Sequence, residues 1–262
     1  MSGRVSGAIL LTGAAHGIGR ATALALASRG YALGLIDRDA EALAGVVGEI
    51  GEREGALSFR VSDVTDLDAM REAVLGVESA VGPTGTLVAC AGIGSLTLLP
   101  DLDPAALRAM LDVNVVGVAN AIAAVLPGMI ARGGGHVVGI SSVAGVRGMP
   151  WMASYSASKA ALTTYLEGLR PALKRRGVSV TTVYPGFVRT AMTEGTPFRR
   201  PVPMLEPEQA AAQLVRAIER RPRDLAFPMS AALGMGLLRR LPNRVYDRMM
   251  DRAGPRALTV DF

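Results

Sequence analysis

The chain has 262 residues, a length that suits one large domain. Hydrophobic residues make up 50% and charged residues 19%, which excludes a disordered chain and allows a full core. The net charge of +5 comes almost wholly from arginine, Lys159 and Lys174 being the lysines, and it is spread along a chain only 4% aromatic. A nucleic-acid surface needs a contiguous basic face with stacking rings, so that class of partner is not expected.

No membrane-spanning helix is expected, the apolar runs being read as shorter than the roughly 18 uncharged residues one needs. The run Ala8–Leu11 is too short for a signal peptide. Cys90 is the single cysteine and makes no intrachain disulfide, which points to a reducing, cytoplasmic setting.

In chain order, Ala8–Leu11 reads as a first strand and Gly19–Ser28 as a helix closed by Gly30. Tyr31–Ile36 is a second strand, Glu41–Arg53 a helix, Leu57–Val61 a third strand and Leu67–Val81 a helix. Thr86–Ala89 follows as a strand, then Pro104–Ile130 as helix in two segments, His136–Ile140 as a strand, Ala153–Arg175 as a long helix and Val178–Val183 as a strand. Pro197–Pro207 reads as a loop before a helix over Glu208–Arg220, with Pro207 suited to its first position. Strands built as short apolar runs and separated by helices predict α/β architecture, a doubly wound parallel sheet with helices on both faces. Neither an internal repeat nor an interdomain linker is visible, so residues 1–262 form one domain. Residues 1–190 hold the core, 191–227 a substrate loop, helix and last strand, and 228–262 a C-terminal extension.

The turn Thr12-Gly13-Ala-Ala-His16-Gly17-Ile18-Gly19 joins the first strand to the first helix. Its glycines permit a tight turn and close backbone approach, and the helix start offers free N–H groups to a pyrophosphate. Asp37 ends the second strand, 24 residues after Gly13, where a carboxylate accepts from both ribose hydroxyls and repels a 2′-phosphate. His16 before Gly17 also favours NAD, whereas Arg38 suits the 2′-phosphate of NADP. Asp63-Val64, after the third strand, is placed to reach an adenine edge.

Tyr155 and Lys159 stand at i and i+4, on one helix face. A nearby cation favours the phenolate of a group otherwise titrating near pH ~10. Ser142 ends the fifth strand, 13 residues before Tyr155, so both hydroxyls can reach one carbonyl oxygen. Asn114 lies in a mainly apolar helical stretch and needs a partner, either neighbouring backbone or a site water. His136 has no partner at ligand spacing, and no metal is expected.

Together these residues resemble the short-chain dehydrogenase/reductase family. The resemblance runs in order through Thr12–Gly19, Asp37, Asp63-Val64, Cys90-Ala91-Gly92, Asn114, Ser142, Tyr155, Lys159 and Pro185-Gly186-Phe-Val-Arg-Thr190, over residues 8–190. It implies an NAD(P)-dependent oxidoreductase interconverting a secondary alcohol and a ketone. Tyr155 would be the proton donor or acceptor, and Ser142 would polarise the substrate oxygen. Lys159 would lower the tyrosine pKa and anchor the ribose, and Asn114 would support a water-linked proton relay. Pro185, Gly186, the Val188 backbone and the Thr190 hydroxyl would hold the carboxamide. The family usually has asparagine where this chain has Cys90, which reads as a buried structural thiol.

Apolar residues flank the site, among them Ile93, Leu96, Val143, Met149, Trp151, Met152, Phe187 and Met192. A pocket so lined takes a hydrophobic alcohol or ketone, such as a steroid, lipid or terpenoid derivative. The resemblance also implies a homodimer or homotetramer. The tail after residue 228 lies outside it and holds a helix candidate with Val245 and Met249 on one face and Arg244, Arg248 and Arg252 as a basic stripe. Such a segment suits packing on the parent or a sister subunit better than peripheral membrane contact. The other readings are a catalytically idle dinucleotide sensor that binds a partner, and a methyltransferase, which has no use for the Tyr155–Lys159 pair.

Overall fold

The computed structural model describes residues 7–51, 55–100, 102–194 and 204–253. Along them run β1 (Ala8–Thr12), α1 (Gly17–Ala27), β2 (Leu33–Asp37), α2 (Ala40–Ile50), β3 (Leu57–Val61), α3 (Leu67–Val81) and β4 (Thr84–Ala89). Then come α4 (Pro104–Leu111), a π-helical turn (Asp112–Gly117), α5 (Val118–Ala131), β5 (Gly135–Ile140), a 3-10 turn (Val143–Gly145), α6 (Ala153–Lys174) and β6 (Val178–Pro185). The last elements are α7 (Pro207–Arg220), β7 (Asp224–Phe227), α8 (Met229–Arg240) and α9 (Asn243–Ala253).

All seven strands pair in parallel in the order β3-β2-β1-β4-β5-β6-β7. β1, β4 and β5 are buried at every position because both faces are covered, whereas the edge strands β3 and β7 are partly exposed and carry Arg60 and Asp224. Ile9 and Leu11 of β1 enter one core with α1, α2 and α7, while Leu10 enters the other with α3, α5 and α6. Local chemistry starts the helices: Asp39, Asp66 and Asp103 accept N–H bonds from the first turns of α2, α3 and α4. Glu206 and Gln209 form a reciprocal capping box on α7, with Pro207 at its first turn as expected.

Several boundaries move. α1 begins at Gly17, two residues before the expected start, and β2 begins at Leu33 instead of Tyr31. α2 ends at Ile50, where Gly51 at φ +61° leaves the helix. Most of the expected loop Pro197–Pro207 lies outside the described residues, as does the end of the chain after Ala253. α8 is an element that residue pattern did not announce.

The expectation about apolar runs is corrected. Pro104–Ala131 is one 28-residue helix, long and apolar enough by composition to cross a membrane. Its apolarity has a different cause here: α5 packs between α3 and β4, and Val118, Ala121, Ile122, Val125 and Met129 are core residues.

Candidate active site

The strand order reverses between β1 and β4, and ligands of doubly wound sheets bind at the carboxyl ends of strands beside such a reversal. There the loops after the two strands touch. A Cβ on Gly13, which sits at φ +68°, would lie 2.6 Å from the Ala91 backbone, and one on Gly19 would lie 1.8 Å from the Gly13 carbonyl oxygen. Only glycine permits a turn this close to its neighbours. A cleft of about 410 Å³ opens beside it.

The glycine turn lines this cleft through Gly13, His16, Gly17, Ile18 and Gly19, and Asp37, Arg38, Asp63 and Val64 line its β2–β3 side. Cys90, Ala91, Gly92 and Ile93 form its floor, and Pro185, Gly186, Val188 and Thr190 face them from the end of β6. Asp37 braces the turn itself: one carboxylate oxygen accepts from Ala15 N–H at 2.9 Å and the other from Asp39 N–H at 3.1 Å. The cap of α2 is Asp39, which also pairs with His16 at 2.8 Å. Arg38 leans toward Asp63, 3.9 Å away.

At the inner end stand Ser142, Tyr155 and Lys159. Lys159 is buried on α6 and donates to the Ile140 carbonyl at 2.9 Å. Burial pushes its pKa down from 10.5 to about 8. The Tyr155 phenol is shifted up by burial, opposed by its hydrogen bond with Ser142. The tyrosine shift implied by the resemblance is therefore reversed: desolvation dominates, and the Lys159 Nζ stands 5.8 Å from the ring centroid. Burial also raises the Cys90 thiol to about 11, so it is protonated and unreactive at neutral pH.

Of the two roles open to Asn114, the structure displays the backbone one. The residue has 0% exposure and does not line the cleft. Its amide nitrogen donates to the Ile93 carbonyl and to Ser158 Oγ, both at 2.9 Å, and its oxygen accepts from Ile93 N–H at 2.8 Å. Ser158 donates in turn to the Tyr155 carbonyl at 2.8 Å, so Asn114 ties the β4 loop to the turn of α6 that carries the phenol. Thr12 is also behind the cleft, its hydroxyl 3.4 Å from Ala91 N–H.

A second chamber of about 260 Å³ adjoins the first. Ser142, Tyr155, Gly186, Met192 and Thr193 line both, so the two hydroxyls stand where the cavities meet. The chamber is walled by Leu96, Val143, Met149, Met152 and Phe187, with Glu194 as the one carboxylate among the described residues that line it. Two residues expected at the substrate are placed elsewhere. Ile93 faces the first cleft, and Trp151 lines neither cavity. The backbone of Trp151 takes a left-handed turn at φ +51° before α6, its carbonyl accepting from Thr97 N–H at 2.6 Å.

A family model described as short chain dehydrogenase matches residues 7–199. The chain belongs to the short-chain dehydrogenase family. An uncharacterized oxidoreductase of Myxococcus xanthus is 38% identical over 238 residues, covering 91% of this chain and 94% of that relative. The crystal structure of a short chain dehydrogenase/reductase from Burkholderia phymatum in complex with NAD is similar at a TM-score of 0.79, with 25% identity over 96% of this chain and 97% of that one. An alcohol dehydrogenase from Thermococcus sibiricus, complexed with 5-hydroxy-NADP, gives 0.74 with 26% identity, covering 84% of this chain and 95% of that one.

In this short-chain dehydrogenase, sequence reasoning missed the residues that hold the machinery in place. Ser141 Oγ donates to the Lys159 carbonyl at 3.0 Å and bonds Thr163 at 2.8 Å, pinning α6 to the end of β5. The Thr193 hydroxyl meets the carbonyls of Val188 and Thr190 at 2.7 and 3.0 Å and shapes the stretch after β6. Each is an ordinary hydroxyl in the sequence, and the only signal was its nearness to a motif residue. His136 is buried in β5 with its Nε2 against Thr181 Oγ1 at 2.8 Å.

Proposed function

We propose that this oxidoreductase interconverts a hydrophobic secondary alcohol and its ketone, using NAD. The observation that carries the reading is the position of the Ser142 and Tyr155 hydroxyls on the wall shared by the two cavities. The larger cleft fits a dinucleotide: the glycine turn leaves its backbone open to a pyrophosphate, and Asp37 stands at the ribose end. The similar proteins from B. phymatum and T. sibiricus, described with NAD and 5-hydroxy-NADP, support a nicotinamide dinucleotide.

A bound nicotinamide supplies the hydride chemistry. The substrate carbon would lie at the meeting of the cavities, its oxygen between Ser142 and Tyr155. Ser142 polarises the carbonyl by donating to its oxygen, and Tyr155 delivers the matching proton. The raised phenol pKa keeps Tyr155 protonated at neutral pH, which suits the reducing direction. Giving up that proton leaves a phenolate, which the Lys159 ammonium stabilises, and in the oxidising direction this phenolate takes the proton from the alcohol. Asn114 acts through Ser158 as a positioning residue. The methionine-rich chamber adapts to irregular apolar shapes.

Asp37 and Arg38 no longer weigh equally. Asp37 lines the cleft with a carboxylate that repels a 2′-phosphate, while Asp63 partly neutralises Arg38. Fluorescence titration of the purified protein with NADH and NADPH tests this. NADH binds more tightly, and Asp37→Ala narrows the difference. Tighter binding of NADPH would refute the assignment, and binding of neither would refute the dehydrogenase reading itself.

A further inference from the structure

α8 packs against the Val143–Gly145 turn and Gly186, behind residues that line the smaller chamber. Its start rests on Gly186, where an added Cβ would meet Pro228 Cδ at 3.2 Å and Ala231 Cβ at 3.3 Å. Its far end is held by Arg147, whose guanidinium donates to the carbonyls of Leu238 at 2.9 Å and Leu241 at 2.6 Å and to Asn243 Oδ1 at 2.7 Å. The same guanidinium lies 4.0 Å over the Tyr246 ring, and the Tyr246 hydroxyl donates to the Gly148 carbonyl. α8 and α9 are thereby fixed to the segment that carries Met149 and Met152 into the chamber.

With that side held, the outward side of α8 is apolar. Met229, Leu233 and Leu237 recur every four residues as one stripe and are 74%, 72% and 64% exposed. A helix covering a water-exposed protein shows the reverse pattern, polar outward. Val245 and Met249 extend the theme on α9. Arg240, Arg244 and Arg248 are exposed beside these side chains, each within about 100° of the nearest one round its helix. From Leu225 to Tyr246 the sequence holds no carboxylate. Asp247 and Asp251 each follow an apolar residue by two positions, about 200° round the helix, and so sit on the other side of α9.

We infer that α8 and α9 dock this protein on an anionic lipid surface. Acyl chains receive the Met–Leu stripe, and headgroup phosphates receive the arginines. A second copy, meeting the stripe with the same patch, would bring no carboxylate from α8 to answer Arg240. The inference stands whether or not the chain turns over an alcohol.

The test is co-sedimentation of the full chain with vesicles of phosphatidylcholine alone and of phosphatidylcholine mixed with phosphatidylglycerol, at low and high salt. The protein sediments with the anionic vesicles at low salt, and not with the neutral ones. Arg240→Gln with Arg248→Gln lowers the partition constant roughly thirtyfold, at about 1 kcal/mol for each arginine. Leu233→Asp with Leu237→Asp abolishes sedimentation and leaves the melting temperature unchanged. Absence of sedimentation, equal sedimentation with both vesicles, or full retention by the leucine variant overturns the inference. A light-scattering mass that falls in the leucine variant overturns it too, and assigns the face to a second copy.

Discussion

Replacing Lys159 by methionine should separate folding stability from turnover. The lysine is 5% exposed, and its pKa falls from 10.5 in a free chain to about 8 in the folded protein. Below about 8 the group is protonated in both states, so the folded state bears the whole cost of burying an ammonium. Between about 8 and 10.5 the unfolded chain binds more protons than the folded one, so this lysine makes wild-type stability rise with pH. At about 1.4 kcal/mol for each pH unit, that interval corresponds to about 3 kcal/mol.

Methionine keeps an unbranched apolar stem, one atom shorter, and removes the titration. It also strips the Ile140 carbonyl of its donor, which costs about 1–3 kcal/mol at any pH. The readable quantity is therefore the difference between the two proteins. It moves by about 3 kcal/mol in favour of wild type as pH climbs from neutral toward 10.5. Urea unfolding of both proteins in matched buffers measures it. A difference that stays constant with pH would refute the claim that the ammonium is held at a desolvation cost. The variant should also be inactive, and wild-type ketone reduction should decline as pH rises through about 8, where the ammonium is lost.

Tyr155→Phe should reduce turnover by roughly 10²–10⁴-fold while NADH fluorescence titration gives an unchanged affinity; undiminished turnover would exclude the phenol as the acid. Gly19→Ala places a methyl 1.8 Å from the Gly13 carbonyl oxygen and should cost more than about 3 kcal/mol, read as a lowered urea midpoint together with lost NADH binding. Burial holds the His136 pKa near 3 against 6.5, so the unfolded chain takes up a proton first as pH falls, and stability drains away between those values by up to about 5 kcal/mol. His136→Gln should flatten that acid limb in urea melts, and equal losses in both proteins would remove His136 from the explanation.

The sequence by itself determined the layered α/β architecture, because strands buried on both faces must be apolar at every position and the helices between them amphipathic. It also marked the candidate site residues that the structure gathers along one cleft, since Gly13–Gly19, Asp37, Ser142 and Tyr155–Lys159 are tied to strand ends and helix turns whose spacing is local. Tertiary structure decided what those groups experience. The Tyr155 phenol rises and the Lys159 ammonium weakens because desolvation depends on everything packed around them, not on the i to i+4 spacing. The partners of Asn114 lie 21 and 44 residues away, beyond any local pattern. Trp151 and Ile93 looked alike as apolar neighbours of the site, and only the turn at Trp151 and the path of the β4 loop separated them. The same holds for Met229, Leu233 and Leu237: periodicity marks a stripe on a helix, and only packing shows that this stripe faces outward.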